Sequence, residues 1–196
     1  VDELGSSNVL RIGSAERCST PSIVAAEVIA ELNSSYDGFA FVVSGANPYG
    51  AALVAPAAYG QGIPIFVTDS NVLSPSTASA LSAYGVTDVM LIGGAVELSP
   101  AVEDSIQSLL GVAHVERWAG DDWRTTSWMV SLGLESRGWA GADSYEVTEY
   151  EDAMADLVAG VLAGVRGDAV LFGDSAEGFD SGTLAMLTSA NDAMTF

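Results

Sequence analysis

The chain reads as an α/β protein built from repeated open parallel-sheet units, Rossmann-like or Toprim-like, with helices on both faces. Three observations point there. Short apolar runs ending in small residues recur as "FAFVVSG", "IPIFVTD" and "DVMLIGG", the pattern of strands buried on both faces. Helical stretches between them carry hydroxyl-proline punctuation. The whole order then returns after about a hundred residues, as a repeat architecture requires.

Taken in order, Thr20-Pro21 predicts a capped helix start, followed by the strand "FAFVVSG". "NPYGAALVAPAAYG" then leads into the strand "IPIFVTD". Ser74-Pro75 opens the next helix and Gly85 stands where it should stop. "DVMLIGG" is the third strand, and Ser99-Pro100 to Gly111 brackets the last helix of the unit. His114 then enters a further strand. Apolar strands separated by helices imply crossover connections and a parallel sheet.

The repeat shows when Arg11 is laid over Arg117, an offset of 106 residues. Val9 then meets Val115, Glu16 meets Asp122 and Thr20 meets Thr126, and Ile23, Val24 and Val28 meet Met129, Val130 and Leu134. Further on the offset falls to 105, with Gly62–Asp69 over Gly167–Asp174 and Val89–Leu91 over Met194–Phe196. Residues 9–115 are read as one unit and residues 116–196 as a second, breaking off inside an expected strand.

Composition excludes several function classes. The 196 residues carry 26 acids, six arginines and no lysine, for a formal net charge of −20. A field of that sign repels phosphate backbones, so nucleic-acid binding is not expected. Apolar residues make up 49%, yet no run is long enough to span a bilayer, so no membrane insertion is expected. The opening "VDELGSSN" lacks the basic and apolar regions of a signal peptide, as in a cytosolic chain or one mature or trimmed at that end. Cys18, the one cysteine, permits neither an internal disulfide nor a cysteine-built metal site. It reads as a small buried hydrophobe.

No reaction assembles from the remaining residues. His114 has no cysteine or motif-borne serine near it in sequence, and a nucleophile needs a base within reach. "GGAVE" lacks the full Gly-x-Gly-x-x-Gly spacing of a dinucleotide loop. The acidic stretch Tyr145–Asp156 lacks the alternating ligands and central glycine of a calcium loop and reads as a solvated loop and helix start. No metal, no cofactor and no enzymatic activity are expected. The strand ends "SGAN", "TDSN" and "GGAV" are small and polar, suited to a carbohydrate, to an anion held by backbone N–H groups, or simply to tight turns.

With these pieces in hand, the chain resembles the type 2 cell-wall-binding repeats of Gram-positive surface proteins. The family's unit opens with Arg-hydrophobic-small-Gly-x-Asp-Arg-Tyr-x-Thr, answered here by "RIGSAERCST" and "RWAGDDWRTT". Its later helix start, "PILLT" strand and paired-glycine strand are answered by "SGANPYGAALVAPAAYG", "PIFVTD" and "VMLIGGAVELSP". Departures fall at Glu16, Cys18, Trp123 and Arg124 in the opening motifs, and at Gly50, which replaces an acidic residue.

The resemblance implies a non-catalytic, extracellular module at the cell wall. It would hold a surface protein noncovalently to an anionic polymer, teichoic-acid-like or a secondary polysaccharide. Such repeats come in threes, so a third repeat or a homo-oligomer would complete the set. On this basis Arg11, Arg17, Asn47, Thr68, Arg117 and Arg124 are the polymer-contact candidates. Glu16, Thr20, Asp122, Thr126, Gly93 and Gly94 are the structural ones. The arginines equally fit ion pairs at the unit boundary, Arg11 with Glu16 or Arg117 with Asp122. Alternatives of another class are a small-ligand or enzymatic open α/β domain, and a pure scaffold or oligomerisation unit.

Overall fold

A computed structural model describes residues 12–32, 35–109, 111–141, 144–150, 152–174 and 176–189. The first half runs α1 (Ser19–Leu32), β1 (Phe39–Ser44), α2 (Tyr49–Gln61), β2 (Ile65–Thr68), α3 (Pro75–Ala83), β3 (Asp88–Ile92), α4 (Pro100–Gln107) and β4 (His114–Trp118). The second runs α5 (Trp123–Ser136), β5 (Tyr145–Glu149), α6 (Ala153–Arg166), β6 (Ala169–Gly173) and α7 (Ser181–Ser189). The expected α/β class, parallel sheet and flanking helices are all present.

β2, β1, β3 and β4 lie side by side in that order, all parallel. Their alternation explains the continuous apolar runs. Ala40, Val42, Val89 and Leu91 face one core with Leu81 of α3 and Val102 and Ile106 of α4. Phe41, Val43, Met90 and Ile92 face the other, with Leu53, Val54 and Ala57 of α2. A strand enclosed on both faces has no polar side to show, so its sequence reads as a plain apolar run.

β5 and β6 form a second parallel pair, and it docks onto the α2 face of the first sheet. The second core therefore continues through Val130 and Leu134 of α5, Ala163 of α6, and Val170 and Phe172 of β6. Trp139, after α5, sets its ring edge-on against Phe39 at 5.2 Å and Phe41 at 6.1 Å. The Arg137 guanidinium lies over Trp118 and Trp139 at 4.9 and 5.4 Å, a favourable cation–aromatic arrangement.

α2 and α6 cross at this junction through small residues. A Cβ at Gly160 would come within 2.7 Å of the Ala52 carbonyl oxygen, and one at Gly164 within 3.0 Å of Tyr59 Cβ. Both helices end on a glycine in the left-handed region, Gly62 and Gly167, 105 residues apart. The expected strand at Met194–Phe196 lies outside the described residues, as does Val9.

Candidate functional site

The two look-alike arginine segments fold into the same local clip. Thr20 Oγ1 accepts a hydrogen bond from the Ser14 N–H at 3.1 Å. Thr126 Oγ1 accepts one from the Gly120 N–H at 2.9 Å, with donor and acceptor both displaced by 106 positions. The acid of the motif differs by one methylene, with a visible consequence. Asp122 caps α5 by accepting from the Thr125 N–H at 2.7 Å. Glu16 instead takes the Ser19 hydroxyl at 3.2 Å. α5 thus starts directly after its cap at Trp123, whereas α1 starts at Ser19. The expectation that the Thr20 hydroxyl caps a helix starting at Pro21 is corrected, because both residues lie inside the first turn of α1. Ser74 and Ser99 do stand at the N-caps with proline following, but neither side chain caps. Ser74 joins Thr68 and Asp69 in the β2–α3 turn instead.

The described arginines divide into bound and unbound. Arg117 on β4 donates to the carbonyls of Gly93 and Gly94 at 2.7 and 3.1 Å, and to Glu103 Oε2 from Nε and Nη2 at 3.1 and 2.8 Å. It staples β4 to the β3–α4 turn, so its ion partner is Glu103 and not Asp122. The reason is local: the Asp122 carboxylate is taken by the α5 cap and by Arg124. Arg124 reaches Glu177 at 2.8 Å, Asp122 at 3.4 Å and Asp174 at 4.0 Å. It ties the loop after β6 to the start of α5. Partial burial pushes the Asp122 carboxyl up, but the Thr125 N–H and Arg124 bring it below its ordinary value. The N–H groups of Glu177 and Ala176, with Arg124 adding to them, lower Asp174 as well.

Arg17 is different. It is exposed and makes no ion pair among the described residues. Its Nε lies 3.8 Å from where a Gly45 side chain would begin, at the carboxyl end of β1. Beside it, the Ser44 and Ser70 hydroxyls share a hydrogen bond of 2.9 Å, and the half-buried Asn47 accepts from the Tyr49 N–H at 3.2 Å. Thr68 is fully buried, its hydroxyl spent on Val72 O and Ser74. Of the polymer-contact candidates, Arg17 therefore lies near the carboxyl end of β1, Asn47 follows in the turn after that strand, and Thr68 is buried at the end of β2. Arg117 and Arg124 are held by protein carboxylates, and Arg11 lies outside the described residues.

Other candidates separate cleanly from these strand ends. His114 is exposed at the start of β4, opposite Asp88 in register, and so at the amino ends of the strands. Tyr145–Glu149, expected as loop, is strand β5, and Asp152 caps α6 through the N–H groups of Met154 and Ala155. Among the described residues no cluster of three or more His, Cys, Asp or Glu side chains could hold a metal. No described helix is long and apolar enough to cross a membrane. Sequence reasoning marked Trp123 only as a departure from the motif. It is buried, 5.5 Å from the Tyr49 ring, in an aromatic cluster that Tyr150 and Phe172 complete.

Comparison with family models finds no match, and comparison with curated protein sequences finds none either. Among solved structures the chain is similar to Cwp6 from Clostridium difficile, with a TM-score of 0.78 and 19% identity over 91% of this chain. It is similar also to Cwp8 from Clostridium difficile, with a TM-score of 0.73 and 24% identity over 95% of this chain. Both are cell-wall proteins. The chain spans 27% and 30% of their respective lengths. At these identities the likeness establishes the shared fold.

Proposed function

We propose that this chain is a non-catalytic, extracellular wall-anchoring module that binds an anionic cell-wall polymer. It would be made of two type 2 cell-wall-binding units, residues 9–115 and 116–196. In this reading β4, which straddles the boundary between the two units, completes the sheet of the first. The carrying observation is the fold shared with two cell-wall proteins across nine-tenths of the chain, joined to a repeated arginine motif that folds into the same clip twice.

Charge decides where polymer can touch. A protein at −20 repels a polyanion at distances beyond roughly 8 Å in physiological salt, so contact must be local. Arg117 and Arg124 already neutralise protein carboxylates. Arg17 is the described arginine whose charge is unspent, and it stands at the carboxyl edge where open parallel sheets hold ligands. Asn47, half-buried in the turn after β1, supplies a neutral hydrogen-bonding group at the same strand end.

The test is co-sedimentation with polymer-bearing walls and with the same walls stripped of polymer. Binding should be lost on stripping and fall several-fold in Arg17→Ala, whose melting temperature should match the parent because no ion pair is removed. Equal sedimentation with stripped walls would sink the polymer reading.

A further inference from the structure

β1 and β3 are neighbours in the first sheet although β2 lies between them in sequence. α2 leaves β1 over one face of that sheet, and α4 leaves β3 over the other. The chain therefore parts outside the carboxyl ends of β1 and β3, the crevice where open parallel sheets take their ligands. Its floor is closely packed. A Cβ at Gly50, in the first turn of α2, would stand 3.3 Å from Val43 Cγ1 and 3.5 Å from Ile92 Cγ2.

The second half of the chain fills the space above that floor. Trp123, the first residue of α5, is only 7% exposed. Its Cη2 lies 3.2 Å from where a side chain on Gly93, directly after β3, would begin. Its ring stands 5.5 Å from that of Tyr49, the first residue of α2. One indole thus touches both walls. Its chain neighbours fix it there, since Asp122 caps α5 at the Thr125 N–H and Arg124 reaches Glu177. The backbone of the two strand-end loops is engaged as well. Arg117 takes the carbonyls of Gly93 and Gly94, the Gly45 N–H donates to Thr68 O, and the Ala46 N–H donates to Ser44 Oγ. Arg17, 106 positions before Trp123, is exposed. The same place in the two look-alike segments is therefore open in one and buried in the other.

We propose that Trp123 is an internal stopper, occupying from within the chain the ligand crevice of the first sheet, which takes a flat aromatic molecule only once that indole is removed. This goes beyond the polymer contact at Arg17 and does not rest on it. Walls and polymer play no part in its test, so the two proposals fail separately.

Thermal melts of the 196-residue chain with and without about 5 mM indole provide that test. Trp123→Ala should keep the parental circular dichroism spectrum and melt roughly 10 °C lower. An apolar vacancy of this kind takes up an aromatic molecule. Indole should therefore raise the variant's melting temperature by about 3 °C or more, binding one per chain by calorimetry, and leave the parent unmoved. Trp128→Ala, which removes the other tryptophan of α5 from its seat on Gly182, should not respond. A folded Trp123→Ala that ignores indole would overturn the proposal. So would a parent that binds indole, because the crevice would then be open beside Trp123. Equal shifts in the two alanine variants would overturn it too, since any lost indole would then be replaced without a crevice. If Trp123→Ala does not melt cooperatively, Trp123→Val with benzene is read in the same way.

Discussion

α2 and α6 occupy matching places in the two halves, each the crossover between two parallel strands and each ended by a left-handed glycine. Both are almost wholly apolar, yet their fates differ. α2 is sunk between the first sheet and the second half, with Tyr59 its one large apolar side chain left exposed. α6 is enclosed on one face and bare on the other. Composition alone could not separate them. The difference lies in what packs outside each helix, a property of the assembly around it.

Breaking the contact that the two helices share should give the largest effect. Gly160 sits where any side chain would press on the Ala52 backbone and Ala55, and backbone cannot swing aside. Gly160→Leu should therefore destabilise the chain by about 3 kcal/mol or more, the range of severe overpacking. Urea unfolding measures this. A loss below about 1 kcal/mol would mean that the α2–α6 approach is looser than described.

This contrast also marks where sequence reading stops. The first sheet was legible because its strands are enclosed on both faces and its helices are punctuated by proline and glycine. β5 was not, because "YEVTE" is a strand of a two-stranded pair with only Thr148 buried, and its acids read as solvated loop. The clip residues Thr20 and Thr126 were legible as a repeat, since local hydrogen bonds follow local spacing. The partner of Arg117 was not, because Glu103 lies on a helix fourteen residues earlier and only the β3–β4 pairing brings the two together. Arg17 and Arg124 were both polymer-contact candidates in the sequence. The carboxylates that distinguish them, Asp174 and Glu177, sit some fifty residues from Arg124.

A second, smaller difference sharpens the comparison through pH. Counted from the residue that caps each helix, Asp156 of α6 stands where α2 has Ala52. Asp156 is fully buried and its carboxylate makes no well-formed hydrogen bond. Burial pushes its carboxyl up to about 6, with the Thr148 hydroxyl opposing the rise and the Asp152 charge adding to it. A carboxyl whose folded value is raised favours folding only while protonated. Its contribution is therefore lost as pH climbs from about 4, the unfolded value, to about 6. Asp156→Ala, which copies α2, should remove that decline and raise stability at pH 7 by about 1 kcal/mol. At pH 4 the gain should vanish. A variant with the parental slope between pH 4 and 6 would show that Asp156 is not the group responsible.

The smallest effect is expected at Gly60, which stands in α2 where Gly164 stands in α6 when both are counted from the caps. A Cβ at Gly164 would crowd Tyr59, whereas one at Gly60 meets nothing within 4 Å. The same residue type is thus a packing requirement in one helix and only an entropic cost in the other. Gly60→Ala should stabilise the chain by about 0.5–1 kcal/mol at most, through helix propensity and a less flexible unfolded state. Gly164→Ala gains the same propensity but must displace Tyr59, so the pair should differ in sign or nearly so. Thermal melts of the two single variants read this directly. Equal shifts would mean that the α6 glycines, like Gly60, are free of packing demands, and that the seam rests on the apolar side chains around them.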